Sequence, residues 1–271
     1  MVFLKKITAR KRPAEPQNFV EIKVTDPIKQ IPDLIHWASK GEDLRMTLPS
    51  SLLRIKGAFG FHRGWNPMML PLQNDIETFR NFYKLFRPKN LSEVYFLDER
   101  FGADSLSPPK IPWLFWNNPE PLPEEKELSA DCKPHKFFGP STPRKIDIEV
   151  QRLQSVVRSI RKQGYQPDKY GDILGYFMRL DGEYRFFICS GKHRAAALAF
   201  LGFESIPVRM RPFWPRVIDG DRVGDWPLVR SGQMSEDFAL AVMRRFFEFD
   251  GTQQRDRIFN LSSGSSFRAA V

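Results

Sequence analysis

Within residues 137–167 the apolar positions Val150, Leu153, Val157 and Ile160 recur at a 3.6-residue spacing, which predicts an amphipathic helix. Gly164 supplies its stop, and Pro167 prevents its continuation. Two β-branched and aromatic runs, 173–180 and 184–190, flank the turn Asp181-Gly182-Glu183 and read as a hairpin. A helix follows from Lys192 to Leu201, closed by Leu201-Gly202-Phe203, and residues 205–211 read as a further strand. The predicted order is therefore helix, hairpin, helix, strand.

Elsewhere the pattern is plainer. Pro27 to Trp37 reads as a short helix with Ile31, Leu34 and Ile35 on one side, and 53–70 reads as strand-like and turn-rich. Residues 74–88 form an amphipathic helix capped by Asn74 or Asp75, with Ile76, Phe79, Phe82 and Tyr83 on one face and Pro88 as its stop. A helix over 235–249 starts at Ser235 and docks Phe238, Val242 and Phe246 on the core. The proline- and acid-rich stretch 106–136 is expected to be irregular, a linker or a strap carrying Trp113, Phe115 and Trp116 onto another surface. These elements put the chain in the α/β class with mixed α+β organisation. Residues 1–125 form an accessory region, 126–215 the core, and 216–271 an extension with one helix and a flexible tail.

Composition narrows the partners. A formal charge of +10 makes an anionic partner or a solubilising surface equally reasonable, and 24 phenylalanines predict an aromatic-rich interior or partner surface. Cys132 and Cys189 lie far apart without CxxC spacing, which argues against a disulfide framework and against structural zinc. His36, His62, His135 and His193 form no metal-ligand pattern. The basic start lacks an apolar stretch and a cleavage site, and no run reaches about 18 apolar residues. A soluble cytoplasmic protein is expected.

The chemistry concentrates at Ser190-Gly191-Lys192-His193-Arg194, where the second hairpin strand turns into the alanine-rich helix. Cations at a helix N-terminus oppose its dipole, at up to about 1 kcal/mol each, and a bound phosphate reverses that cost. Ser190 is expected to cap, Gly191 to allow close backbone approach, and Lys192, His193 and Arg194 to offer charge and donors. Outward-turned side chains on a solvated basic face are the plain alternative. The stretch is no P-loop: His193 stands where Ser or Thr is required, and Phe186 where the first glycine belongs.

The run SIRKQGYQP, the hairpin, and SGKHRAAALAFLGFESIPV together resemble the ParB/sulfiredoxin-like superfamily, over residues 137–211. The resemblance implies nucleotide phosphates, from ATP or CTP with Mg²⁺, held by Ser190, Gly191, Lys192, His193 and Arg194. Departures select a branch. Lys192 stands where sulfiredoxins carry their catalytic cysteine, and the GERRxRA pattern and helix bundle of the partition proteins are missing. Gly191-Lys192-His193-Arg194 is similar to the G-H-H-R turn of the free-serine-kinase-like branch, although Ser190 replaces the preceding acid. That likeness implies a phosphotransferase or nucleotide hydrolase acting on a small molecule or glycan precursor. Lys192 would neutralise transferring charge, and Glu149 or Asp147 would assist the acceptor.

Alternatives stay open at this stage. Glu149 and Asp147 also fit as ordinary acids of a helix's first turn, and Ser141 and Thr142 as caps rather than ligands. Asp219, Asp221 and Asp225 fit a solvated loop or, less well, a Mg²⁺ site. A non-enzymatic nucleotide-gated module binding protein or DNA is the second functional reading, with DNA disfavoured, and a nuclease is a weaker third. Arg194→Ala is expected to abolish nucleotide binding and leave the fold intact.

Overall fold

The computed structural model describes residues 20–41, 43–62, 65–101, 111–113, 138–210 and 214–260. Its centre is one mixed seven-stranded sheet. The strands are β1 Val20–Lys23, β2 Leu44–Pro49, β3 Leu53–Arg54, β4 Leu174–Leu180, β5 Glu183–Ser190, β6 Ser205–Met210 and β7 Val217–Asp219. They lie in the order β1-β2-β6-β4-β5-β3, with β7 pairing β4. β4 and β5 are antiparallel, while β6, β7 and β4 run parallel. Strands from all three predicted regions thus share one sheet, including β1 to β3 from the region expected to be an accessory layer.

The hairpin has a local cause. Asp181 and Gly182 both adopt positive φ (50° and 78°), the turn whose twist matches its flanking strands. Glu183 is already paired with Leu180, so the turn has two residues rather than the predicted three. β4 is buried on both faces: Tyr176, Phe177 and Met178 are all at most 1% exposed. Tyr176 stacks on Phe187 and accepts a 2.9 Å hydrogen bond from Trp113 Nε1. Trp113 also meets Trp226 and Phe246 edge to face. It therefore packs on the core, whereas Phe115, Trp116, Cys132 and His135 lie outside the described residues.

The described helices are α1 Pro27–Ser39, α2 Ile76–Leu85, α3 Leu91–Tyr95, α4 Pro143–Gln163, α5 Pro167–Tyr170, α6 Lys192–Phe200, α7 Pro227–Arg230, α8 Glu236–Glu248 and α9 Thr252–Asn260. The extension after residue 215 therefore holds β7 and three helices, not one helix. α9 escaped the periodicity because TQQRDRIFN has few apolar positions; Ile258 and a fully buried Gln254, which donates to the Gly57 carbonyl, anchor it. The stretch 53–70 opens as a strand but continues into a 3₁₀ helix, Pro67–Gln73. There Asn66 accepts from the Met68 amide and Pro67 presets φ for the first position. Buried Arg54 ties β3 to the end of α8 by donating to the carbonyls of Phe246 and Phe249. Burial, with the nearby charge of Arg185, pushes its guanidinium down to about 10.

α4 and α6 pack together beside the 3₁₀ helix. Ala195, Ala196, Ala197 and Leu198 are fully buried, and their small side chains let α6 lie close to its neighbours. This brings the second turn of α4, at Glu149, beside the first turn of α6, at His193.

Candidate functional site

α4 begins at Thr142, whose hydroxyl accepts the Lys145 amide at 3.2 Å; it is a cap, and Pro143 presets the first position. From there Lys145, Glu149 and Arg152 follow at i, i+4 and i+7, one face of the helix. Lys145 Nζ lies 3.3 Å and Arg152 Nη1 3.4 Å from Glu149 Oε1. Glu149 Oε2 meets His193 Nε2, on the first turn of α6, at 2.5 Å. Side-chain exposure is 10% for Glu149 and 7% for Lys145, so the carboxylate sits buried among cations.

Burial opposes ionisation of Glu149. The His193 hydrogen bond, then the charges of Lys192 and Lys145, outweigh it and hold the carboxyl well below the usual range. Burial pushes the His193 imidazole below its ordinary value; Lys192 and Arg152 push the same way, and Glu149 restores part of the loss. The pair is therefore an anionic Glu149 and a neutral His193. Its Nε2–H donates to the carboxylate, and Nδ1 carries the lone pair. Tyr83 on α2 belongs to the same neighbourhood: burial, then the Glu149 charge, raises its hydroxyl. Lys145 and Arg152 thus pair with the carboxylate, and the charge of Lys192 acts on it as well.

The α6 N-terminus adds to this cluster. Gly191, not Ser190, is the N-cap, in the left-handed conformation (φ 83°, ψ 17°), and as a glycine it offers no side-chain cap. Ser190 instead ends β5. A Cβ at Gly191 would lie 2.9 Å from both Arg194 Nη2 and the Ile173 Cα, so glycine is required there for space as well as for φ. Lys192, His193 and Arg194 are all half-buried rather than spread into solvent.

Arg194 turns away from the cluster. Its Nη1 and Nη2 donate to the carbonyls of Tyr170 (2.7 Å) and Asp172 (2.8 Å), pinning the segment that leads into β4. The Asp172 carboxylate in turn accepts from Arg45 of β2 and Arg209 of β6. Arg194→Ala thus disturbs the fold as well: its two charged hydrogen bonds are worth about 2–3 kcal/mol together, readable as a lower urea midpoint. An unchanged midpoint would show that the brace carries no weight.

Other candidates fall elsewhere. Asp147 lies two residues, about 200°, from Glu149 around α4 and pairs with Arg80 of α2 at 3.0 Å, both half exposed. Asp219 and Asp221 bind Arg179, and Asp225 binds Arg222, so that loop is a surface ion-pair network. Half-buried Cys189 donates its thiol to the Leu174 carbonyl. Among the described residues no three His, Cys, Asp or Glu side chains gather as a metal site. The sequence reading missed Lys145 and Arg152, although their four- and three-residue offsets from Glu149 were visible signals.

The pair makes stability pH-dependent. Below about pH 6.5 the unfolded imidazole takes up a proton that folded His193 resists, so stability falls as the pH drops through that window. Glu149, with its depressed folded value, contributes stability present above about pH 4.3 and lost on further acidification. The stability difference between native protein and His193→Asn should therefore vary between about pH 8 and about pH 5. A difference constant across that range would contradict the neutral-imidazole assignment.

No helix among the described residues is long and apolar enough to cross a membrane. Compared with protein-family models, curated proteins and solved structures, the chain matches none.

Proposed function

We propose that the chain is a nucleotide-binding protein of the ParB/sulfiredoxin-like kind that moves a phosphoryl group from ATP or CTP to a small-molecule or glycan-precursor hydroxyl, or to water. The observation that carries this reading is the 2.5 Å contact between Glu149 and His193, set among Lys145, Arg152 and Lys192. An acid on the helix before the hairpin thereby meets the basic turn after it, the juxtaposition that the superfamily likeness implies.

Roles follow from the chemistry. Lys192, Arg152 and the helix N-terminus of α6 receive the phosphates. His193 accepts the acceptor's proton on Nδ1 as the new O–P bond forms, while the nucleoside diphosphate departs with the electrons of the broken bond. Glu149 is a positioning residue that holds the imidazole's tautomer and orientation. Arg194 braces the turn instead of gripping phosphate. Among the described residues the cluster does not fit a resident Mg²⁺: cations and the imidazole already occupy both Glu149 oxygens. In this reading Mg²⁺ comes only with the nucleotide. A cytoplasmic location goes with a nucleoside-triphosphate substrate.

One observation favours the second reading, a nucleotide-gated module with a protein or, less readily, DNA partner. The only carboxylate in the cluster among the described residues is neutralised by its neighbours, which suits binding without turnover. Calorimetric binding and phosphate-release assays on native protein and His193→Asn separate the two. The transferase reading expects the variant to keep its nucleotide affinity and lose turnover by about 10²–10⁴-fold. Binding by native protein with no turnover of ATP or CTP would leave the gated module; absence of binding would end both.

A further inference from the structure

A second face of α4 carries a different feature. Gln154, Arg158 and Arg161 lie roughly 120–180° around the helix from Glu149, so they share nothing with the cluster described above. They rim an open cleft of about 420 Å³ whose floor includes Leu72 of the 3₁₀ helix, Val157 of α4 and Phe200 at the end of α6. No acidic residue among the described ones lines it. Among the described residues Arg158 and Arg161 form no ion pair, whereas Arg152 on the other face is held by Glu149. The helix dipole favours a cation in the last turn and accounts for Arg161 or Lys162. It does not account for Arg158 one turn earlier, beside an apolar floor.

We infer that this cleft docks a short acidic segment of a partner protein, with one apolar side chain on the Leu72–Val157–Phe200 floor and flanking carboxylates on Arg158 and Arg161. Three features select that occupant. The rim carries an uncompensated double positive charge in bidentate-capable guanidinium groups, which match carboxylates. Gln154 offers both an amide donor and an acceptor, the complement of a peptide main chain. The floor is shallow, with Leu72 and Val157 themselves buried, so it accommodates one anchor and does not enclose a whole small molecule. The inference is independent of any nucleotide reading.

The test uses the full chain and a fluorescein-labelled acetylated peptide, Glu-Glu-Leu-Glu-Glu, followed by anisotropy. Saturable binding is expected that weakens about tenfold or more in Arg158→Glu/Arg161→Glu and weakens with added salt. The peptide with glycine in place of leucine should bind several-fold more weakly, and Arg222→Ala, at an exposed arginine outside the cleft, should leave the affinity unchanged. Both arginines are exposed, so the double variant is expected to keep its unfolding midpoint. Four outcomes would overturn the proposal: no saturable binding, affinity that survives the double reversal, affinity lost equally in the Arg222 variant, or displacement by an oligothymidylate that binds the same arginines more tightly.

Discussion

Glu149→Ala lowers the unfolding free energy by about 3–5 kcal/mol, the range for removing one partner of a buried ion pair. The carboxylate is the common partner of Lys145, Arg152 and His193, and both it and Lys145 are nearly shielded from water. Alanine withdraws the compensating charge from a buried ammonium and the acceptor from a buried imidazole N–H. Glu149→Gln keeps an acceptor for His193 without the charge, so its loss should be smaller. Asp147→Ala serves as the control. Its pair with Arg80 is half exposed and screened, and the expected loss is at most about 1 kcal/mol. Urea unfolding of the three variants checks the ordering; a loss for Glu149→Ala no larger than that for Asp147→Ala would refute the buried-cluster description.

Lys192→Ala/Arg152→Ala should weaken ATP or CTP binding by about 10²–10⁴-fold, since each lost charge-assisted contact is worth about 1.5–3 kcal/mol. The two side chains come from different helices and both charges act in the neighbourhood of Glu149, so an anion that reaches both gains from each. Each is only half-buried, and the stability of the variant should change far less than that of Glu149→Ala. Isothermal calorimetry reads the affinity directly. Near-native affinity in the double variant would place any nucleotide elsewhere on the protein.

Much of the local architecture was legible beforehand because its causes are local. The 3.6-residue spacing of Val150, Leu153, Val157 and Ile160 set α4, Gly164 ended it, and the Asp181-Gly182 turn set the hairpin. What tertiary contact decides was less visible. Ser190 reads as a cap by residue type, yet the chain reaches positive φ at Gly191 and makes glycine the cap. The dense basic turn does not reveal that Arg194 folds back onto the carbonyls of Tyr170 and Asp172. Glu149 and Asp147 are equivalent as residue types, but helical phase separates them: Glu149 lies about 60° and Asp147 about 100° from the centre of the apolar arc. β7 and α9 were hidden for a related reason. A three-residue strand and a polar helix carry too little periodicity to announce themselves.

The imidazole of His193 is the reporter closest to the proposed anion seat, and histidine-selective NMR during titration with ATP or CTP reads it directly. The account predicts a saturable shift of the His193 ring resonances, with those of His36 and His62 unmoved. A His193 signal that stays fixed while nucleotide is shown to bind would contradict it.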